Sequence, residues 1–270
     1  MSMKRLFFVS YASGQYTKNI IWNKLFVSFF LRPDRHFFFT KKDLVKSSIY
    51  GKNKKLLDSK IGGGYWAWKP WAILQAMEHA SAGDVVIYQD CGFGLKYKNF
   101  VRPNNVVDYA LKHGSMPGVF VPIHGENAKW THDNCFRLMG CDQSEYFESP
   151  QVEASISAWC VNDKNKSFVA EWLSYCLDIS VVGNSRAIEE SNDFFIHHRH
   201  DQSVLTNLVI KHRLKPLTLS FDDMHFSKSL SLVDLDLSDS FFPIFIRDCI
   251  LFSFRLKSWL RFFLLSGKRR

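Results

Sequence analysis

Four short stretches carry residues whose types and spacing could do chemistry. The first ends on Asp90, where the apolar run Val85-Val86-Ile87-Tyr88 gives way to Gln89-Asp90-Cys91-Gly92. A carboxylate there stands at the carboxyl edge of a sheet, where open α/β sheets bind ligands. Hard oxygen donors in that position suit Mg²⁺ or Mn²⁺ held against a diphosphate, and a turn aspartate capping a loop fits equally. The second stretch is Tyr65, Trp66, Trp68 and Trp71 around Lys69, directly after Gly62-Gly63-Gly64. Aromatic faces stack on sugars and bases, and a lysine meets a phosphate as a point charge; a core-forming helix start is the competing reading. The third is His197-His198-Arg199-His200-Asp201-Gln202. Its spacing matches no familiar zinc pattern. Asp201 and Gln202 read either as a helix N-terminal cap or as a carboxylate and an amide aimed into a cleft, holding a hydroxyl or serving as base. The fourth, Ser10-Tyr11-Ala12-Ser13-Gly14, could wrap a nucleotide with backbone N–H groups but is neither a GxGxxG nor a P-loop sequence. No GxSxG elbow, HExxH or kinase signature is present.

The elements that must position these residues alternate between strand and helix. Residues 5–10 and 36–39 read as short strands, residues 15–31 have a loose helical period, and the lysine-rich 41–60 reads as a solvated helix or loop. The three glycines mark a flexible break. Pro70 suits the first turn of a helix, where its missing N–H costs nothing, and that helix should run to about Ala80. Residues 85–88 form the next strand. Helix at 104–113, strand at 119–122, a short helix at 135–140, strand at 153–161 and helices at 166–177 and 200–212 complete the reading, with 216–240 unplaced. Strand–helix–strand order indicates an α/β domain with a central, mostly parallel sheet flanked by helices.

The 270 residues are 46% apolar and 23% charged, which excludes a disordered or collagen-like chain. Two values stand out: 16% aromatics, 25 of them Phe, and a net charge of +9. Residues 241–270 hold Arg247, Arg255, Lys257, Arg261, Lys268, Arg269 and Arg270 against Asp248 alone, so most of the excess charge is there. Interleaved with Phe, Leu, Ile and Trp259, they form an amphipathic helical tail suited to lie on an anionic membrane surface, or to pack on the core with its basic face outward. The expected division is therefore a catalytic domain over 1–240 and a membrane-associating tail over 241–270. Charges interrupt the tail, so no run of about 18 apolar residues is long enough to span a bilayer. The apolar run after Met-Ser-Met-Lys-Arg is about six residues, short for a signal core of roughly 7–15. Six cysteines without a CxxC pair read as buried thiols of a reducing compartment, the cytoplasm.

Taken in order, these blocks resemble a family of bacterial glycosyltransferase-like proteins with a GT-A type nucleotide-sugar fold, met in surface-polysaccharide (O-antigen or capsule) biosynthesis. The likeness runs through Ser10 to Gly14, Gly62-Gly63-Gly64-Tyr65-Trp66-Ala67-Trp68-Lys69-Pro70, Gly83 to Gly92 and His198-Arg199-His200-Asp201-Gln202-Ser203-Val204-Leu205, with Gln151 to Ser155 and Glu171-Trp172-Leu173 between. The resemblance implies a single GT-A-like domain. Ser10, Tyr11, Ser13, Trp66, Trp68, Lys69 and Asp90 would bind the nucleotide-sugar donor. Asp90 would hold a divalent cation, Mn²⁺ or Mg²⁺. His200 and Glu153 would meet the acceptor, and Asp201 with Gln202 would act at the reacting carbon. Tyr88-Gln89-Asp90 offers one acid where such enzymes usually place two, which leaves open that lysine or histidine neutralises the leaving diphosphate instead.

The chemistry has two requirements. The charge developing on the leaving diphosphate must be stabilised, assigned to Asp90 and its cation. A carboxylate must deprotonate the incoming hydroxyl or brace an oxocarbenium-like centre, assigned to Asp201. The expected acceptor is a glycan, often lipid-linked, reached from the inner face of the plasma membrane. A sugar-phosphate transferase of the same pathway shares these features. A non-catalytic membrane- or nucleic-acid-binding module is the third class, although no nucleic acid is expected because no RNA-binding or zinc-finger signature appears.

Overall fold

The computed structural model of the chain describes residues 4–91, 103–120, 124–184 and 194–218. The chain divides into two units, Met1–Ser227 and Lys228–Arg270, and every described residue lies in the first. The tail expected over 241–270 therefore falls outside the described residues.

Among the described residues, beside three short 3₁₀ or π turns, the elements are β1 (Leu6–Ala12), α1 (Ile20–Phe26), β2 (Arg35–Thr40), α2 (Lys41–Val45), α3 (Tyr50–Leu57), α4 (Gly62–Tyr65), α5 (Trp68–Glu78), β3 (Val85–Gln89), α6 (Pro103–His113), β4 (Ser115–Met116), β5 (Val119–Phe120), α7 (Asp133–Leu138), α8 (Ser144–Phe147), β6 (Val152–Glu153), β7 (Ile156–Cys160), α9 (Asp163–Cys176), α10 (Ile179–Val182), α11 (Asp201–Lys211) and β8 (Leu217–Thr218). The main sheet has the order β2-β1-β3-β7-β4. β1 pairs in parallel with β2 and with β3, whereas β7 runs antiparallel to both β3 and β4. The sheet is thus mixed, with one reversed strand between β3 and β4, where a mostly parallel sheet was expected. A small second sheet has the order β6-β5-β8.

The two-residue period of the strands sorts their side chains onto two faces. Phe7, Val9, Tyr11, Val86, Tyr88 and Trp159 share a core with α5, α9 and α11. Phe8, Val85, Ile87, Ala158 and Met116 meet Val106 and Ala110 of α6 on the other face. This gives an α/β domain with helices on both faces, an arrangement that buries a sheet without exposing either apolar side.

Two expectations fail locally. The strand expected over 153–161 is broken at Ala154-Ser155 into β6 and β7, which belong to different sheets. The backbone there bonds outside any ladder: Ser155 O accepts the Asp90 N–H at 2.9 Å and Ala154 O accepts the Lys69 ammonium at 3.1 Å. The three glycines are not a flexible break. Gly62, Gly63, Gly64, Tyr65 and Trp66 all have positive φ, from +53° to +106°, so α4 and the residue after it form a left-handed turn. Such backbone costs an L-residue about 1–2 kcal/mol, which is why glycine fills three of the five places. Among the described residues no helix is long and apolar enough to cross a membrane.

Candidate active site

The parallel strands define where a ligand fits. From β1 the chain leads to β2 on one side, and from β3 it leads away on the other, so the carboxyl ends of β1 and β3 flank a topological switch point. Ser13 follows β1 and Asp90 follows β3. Lys69, in the first turn of α5, and Asp201, the first residue of α11, converge beneath this edge. The Lys69 ammonium lies 3.3 Å from Asp90 Oδ1 and 3.2 Å from Asp201 Oδ2. The side chains of Lys69 and Asp201 are only 4% and 5% exposed, whereas Asp90 is 27% exposed and forms the open end of the trio.

Burial works against both charges, and the trio resolves the conflict in opposite ways. Burial alone would lower the Lys69 pKa, but the charges of Asp201 and Asp90 outweigh it and hold the ammonium above the usual lysine range. Burial pushes the Asp201 carboxyl up to about 7; Lys69 pulls the other way, and Asp90 adds to the rise. Asp201 Oδ2 has no aligned hydrogen-bond donor, so its link to Lys69 is an ion pair rather than a directed bond. Trp172 fixes the residue from behind by donating its indole N–H to Asp201 O at 3.0 Å. Tyr88 donates its hydroxyl to Asp90 Oδ1, and the Lys69 ammonium sits 5.5 Å over the Tyr88 ring.

The remaining sequence candidates separate into those at the edge and those inside the core. Ser10 is fully buried and donates its hydroxyl to Gln89 O at 2.6 Å, which ties β1 to β3 and leaves nothing for a ligand. Tyr11 and Trp68 stack on each other with centroids 4.2 Å apart, both buried, and Trp68 donates to Gly62 O. These aromatic faces build the wall of the site instead of stacking on a base. Ser13 and Trp66 are half-buried at the edge, with Trp66 stacked against His200 at 5.6 Å. Gln202 spends its amide on the 151–154 segment, accepting the Ala154 N–H and donating to Gln151 Oε1, both at 3.4 Å. Glu153 is half-buried; its carboxylate takes the Ser155 hydroxyl at 2.7 Å and faces His124 Nε2 at 3.5 Å. Burial raises the Glu153 pKa, and the bonds from His124 and Ser155 more than reverse the rise.

The histidines form a structural column. His198, His200 and His132 donate to three consecutive carbonyls, Val181 O at 3.1 Å, Val182 O at 2.8 Å and Gly183 O at 3.0 Å. Burial lowers the pKa of all three, and repulsion from neighbouring histidines adds to the drop at His198 and His200. They are neutral donors pinning the end of α10 to the residue before α11. His200 therefore has one face on the Trp66 ring and its Nδ1 committed to the backbone, which leaves it little to offer an acceptor.

No protein-family model, curated protein or solved structure matches the chain.

Among the described residues no group of three His, Cys, Asp or Glu could hold a metal ion. The Lys69 ammonium at 3.3 Å from Asp90 Oδ1 would repel a divalent cation bound to that oxygen. Tyr88 is a site residue that the sequence reading passed over. Its signal was available: it stands two positions before Asp90 on a strand, so both side chains point to one face. The close approach of Trp130 and Arg199, described below, had no local signal.

Proposed function

We propose that the chain is a glycosyltransferase moving a sugar from a nucleotide-activated donor to a glycan acceptor in cell-surface polysaccharide biosynthesis. The observation that carries this reading is the buried Lys69 ammonium held between Asp90 and Asp201 under the crevice at the β1 and β3 carboxyl ends. An ammonium fixed beside the crevice acts on the charge developing on a departing nucleoside diphosphate without reorganisation, and most strongly when Asp201 is protonated and offsets it least. In the transfer, the anomeric carbon gains a bond to the acceptor oxygen and loses its bond to the diphosphate oxygen. The acceptor proton must leave on a base.

Burial reassigns the roles that the sequence led us to expect. Asp201 lies on the far side of Lys69 from the exposed Asp90, so we assign it a positioning role that holds Lys69 in place, and both buried members act on the ligand through their charge. Asp90, the exposed member, faces the reacting centre and braces positive charge there or takes the proton. Lys69 takes the leaving-group role first given to Asp90 and a metal ion. The acceptor is proposed to be lipid-linked and reached from the cytoplasmic face of the membrane, with residues 241–270 on the anionic surface.

The deciding experiment is a thermal-shift screen of nucleoside diphosphates and nucleotide sugars, with and without Mn²⁺. Stabilisation follows mass action, about 2.7 kcal/mol at one hundred times Kd. At least one nucleotide should stabilise the wild type and fail to stabilise Lys69→Met; no stabilisation by any nucleotide overturns the reading. The membrane proposal is checked separately with anionic vesicles, which should retain the full chain and release a chain cut at residue 240.

A further inference from the structure

Arg199 presents a half-buried cation without an ion-pair partner among the described residues. Its guanidinium lies flat over the Trp130 ring, 3.9 Å from the centroid. Its Nε is buried without a hydrogen-bond partner. An arginine carries five N–H donors in a rigid fork, and among the described residues no carboxylate stands within ion-pair distance of this one. The nearest acid that acts on it is Glu153, whose oxygens are already engaged by Ser155 and His124. Leaving a buried donor such as this Nε–H unmade is unfavourable by about 1–3 kcal/mol, and an oxyanion meeting the guanidinium would supply the missing acceptor.

The surroundings are tied together by hydrogen bonds. The Arg199 N–H donates to Trp130 O at 2.9 Å, and the Ser203 hydroxyl donates to the same carbonyl at 2.6 Å, which ties the Trp130 backbone to the start of α11. Trp130 donates its own indole N–H to His124 O. The rings of His197 and His124 stand nearly perpendicular to the indole, at 5.0 Å and 6.3 Å. One residue, His200, separates Arg199 from Asp201, and Glu153 interacts electrostatically with both Lys69 and Arg199. The cluster therefore adjoins the Lys69 trio while standing apart from it.

We propose that Arg199, backed by Trp130 and flanked by His124 and His197, is an oxyanion subsite that selects an acidic acceptor sugar, one bearing a carboxylate or a phosphate. The planar fork matches two oxygens of either group at once. That the anion belongs to the acceptor rests on the glycosyltransferase reading; that the subsite binds an oxyanion does not.

The test titrates the full chain with glucuronate, glucose 6-phosphate and glucose at constant ionic strength, followed by saturation-transfer NMR and calorimetry. At least one of the two acids should bind the wild type, and glucose should not. Arg199→Gln should weaken that binding tenfold or more. Arg199→Lys keeps the charge but loses the fork, and should fall between the two, so it decides the matter if the glutamine variant proves unstable. The tighter of the two acids identifies the oxyanion. No binding of either acid, or equal binding by wild type and Arg199→Gln, overturns the subsite. Nucleoside diphosphate stabilisation is measured on the same samples and should persist in Arg199→Gln. Diphosphate binding without acid binding removes the subsite alone, whereas acid binding through Arg199 without diphosphate binding removes the transferase reading and leaves the subsite standing.

Discussion

The Lys69 ammonium lies 3.2 Å from the Asp201 carboxylate, and neither side chain is more than 5% exposed. Removing one partner of a buried pair strands the other, at about 3–5 kcal/mol. Lys69→Met should therefore lose that much stability in urea unfolding at pH 8. The loss should shrink at pH 6, because the Asp201 carboxyl is already raised to about 7 and escapes by protonation. The double variant Lys69→Met/Asp201→Asn should recover part of the loss at pH 8. A single-variant cost below about 1 kcal/mol would show that the pair is not desolvated as described.

Strain at the left-handed turn yields a second expectation. Gly64 has φ +106°, and a Cβ there would stand 2.8 Å from both the Cα and the O of Leu57, which are backbone atoms that cannot swing aside. Gly83 also has positive φ, +88°, but a Cβ there meets nothing within 4 Å. Gly64→Ala should thus add a steric cost to the conformational one, about 3 kcal/mol or more in all, while Gly83→Ala loses about 1 kcal/mol. Equal losses, read from urea midpoints, would mean that the close packing of α4 on α3 is not maintained in solution.

What the sequence conveys and what it hides follow from the range of the interactions. The strand leading into Asp90, the core of the first strand (read as 5–10, running on to Ala12), the helix beginning near Pro70 and the helix beginning near Asp201 are all legible, because period and capping chemistry are local. The candidate acids and the lysine are legible as residue types. That Lys69 serves both acids is not, because three separate elements must pack before the ammonium reaches either. The same limit hides the inward stacking of Tyr11 on Trp68 and the meeting of Arg199 with Trp130. A run of three glycines reads as flexibility unless one knows that the next turn is left-handed; a β-rich stretch such as 153–161 gives no sign that two of its carbonyl groups are needed elsewhere.

The histidine column makes the fold sensitive to mild acid. His132, His198 and His200 have pKa values lowered by burial, and unfolded they return to about 6.5. Below that value the unfolded chain binds more protons than the native one, so stability falls as pH drops. Asp201 opposes this: its raised pKa means that the native state holds the extra proton between about 4 and 7, and stability there rises on acidification. With three groups against one, stability should fall from pH 7.5 to 5.5. His198→Gln should flatten the fall, and Asp201→Asn should steepen it. A profile for His198→Gln that parallels the wild type would assign the acid sensitivity elsewhere.

Asp201 should also set how the donor responds to pH. With Asp201 protonated the trio carries no net charge, since Lys69 and Asp90 cancel; with Asp201 ionised it carries −1. A nucleotide sugar has a diphosphate diester that does not titrate near neutrality, so any change in its affinity reports the protein. One added negative charge beneath the crevice is worth on the order of 1–2 kcal/mol at an effective dielectric near 20, or about tenfold in Kd. Binding of the best nucleotide sugar from the screen should therefore weaken about tenfold from pH 6 to pH 8, with a midpoint near the raised Asp201 pKa of about 7. In Asp201→Asn the profile should be flat, with the tighter affinity throughout. Asp90→Asn should keep a pH-dependent limb, because Asp201 still titrates beside Lys69, yet lose turnover, because the exposed carboxylate is gone. A flat profile in the wild type would remove Asp201 from control of Lys69 and leave Asp90 alone to account for any activity.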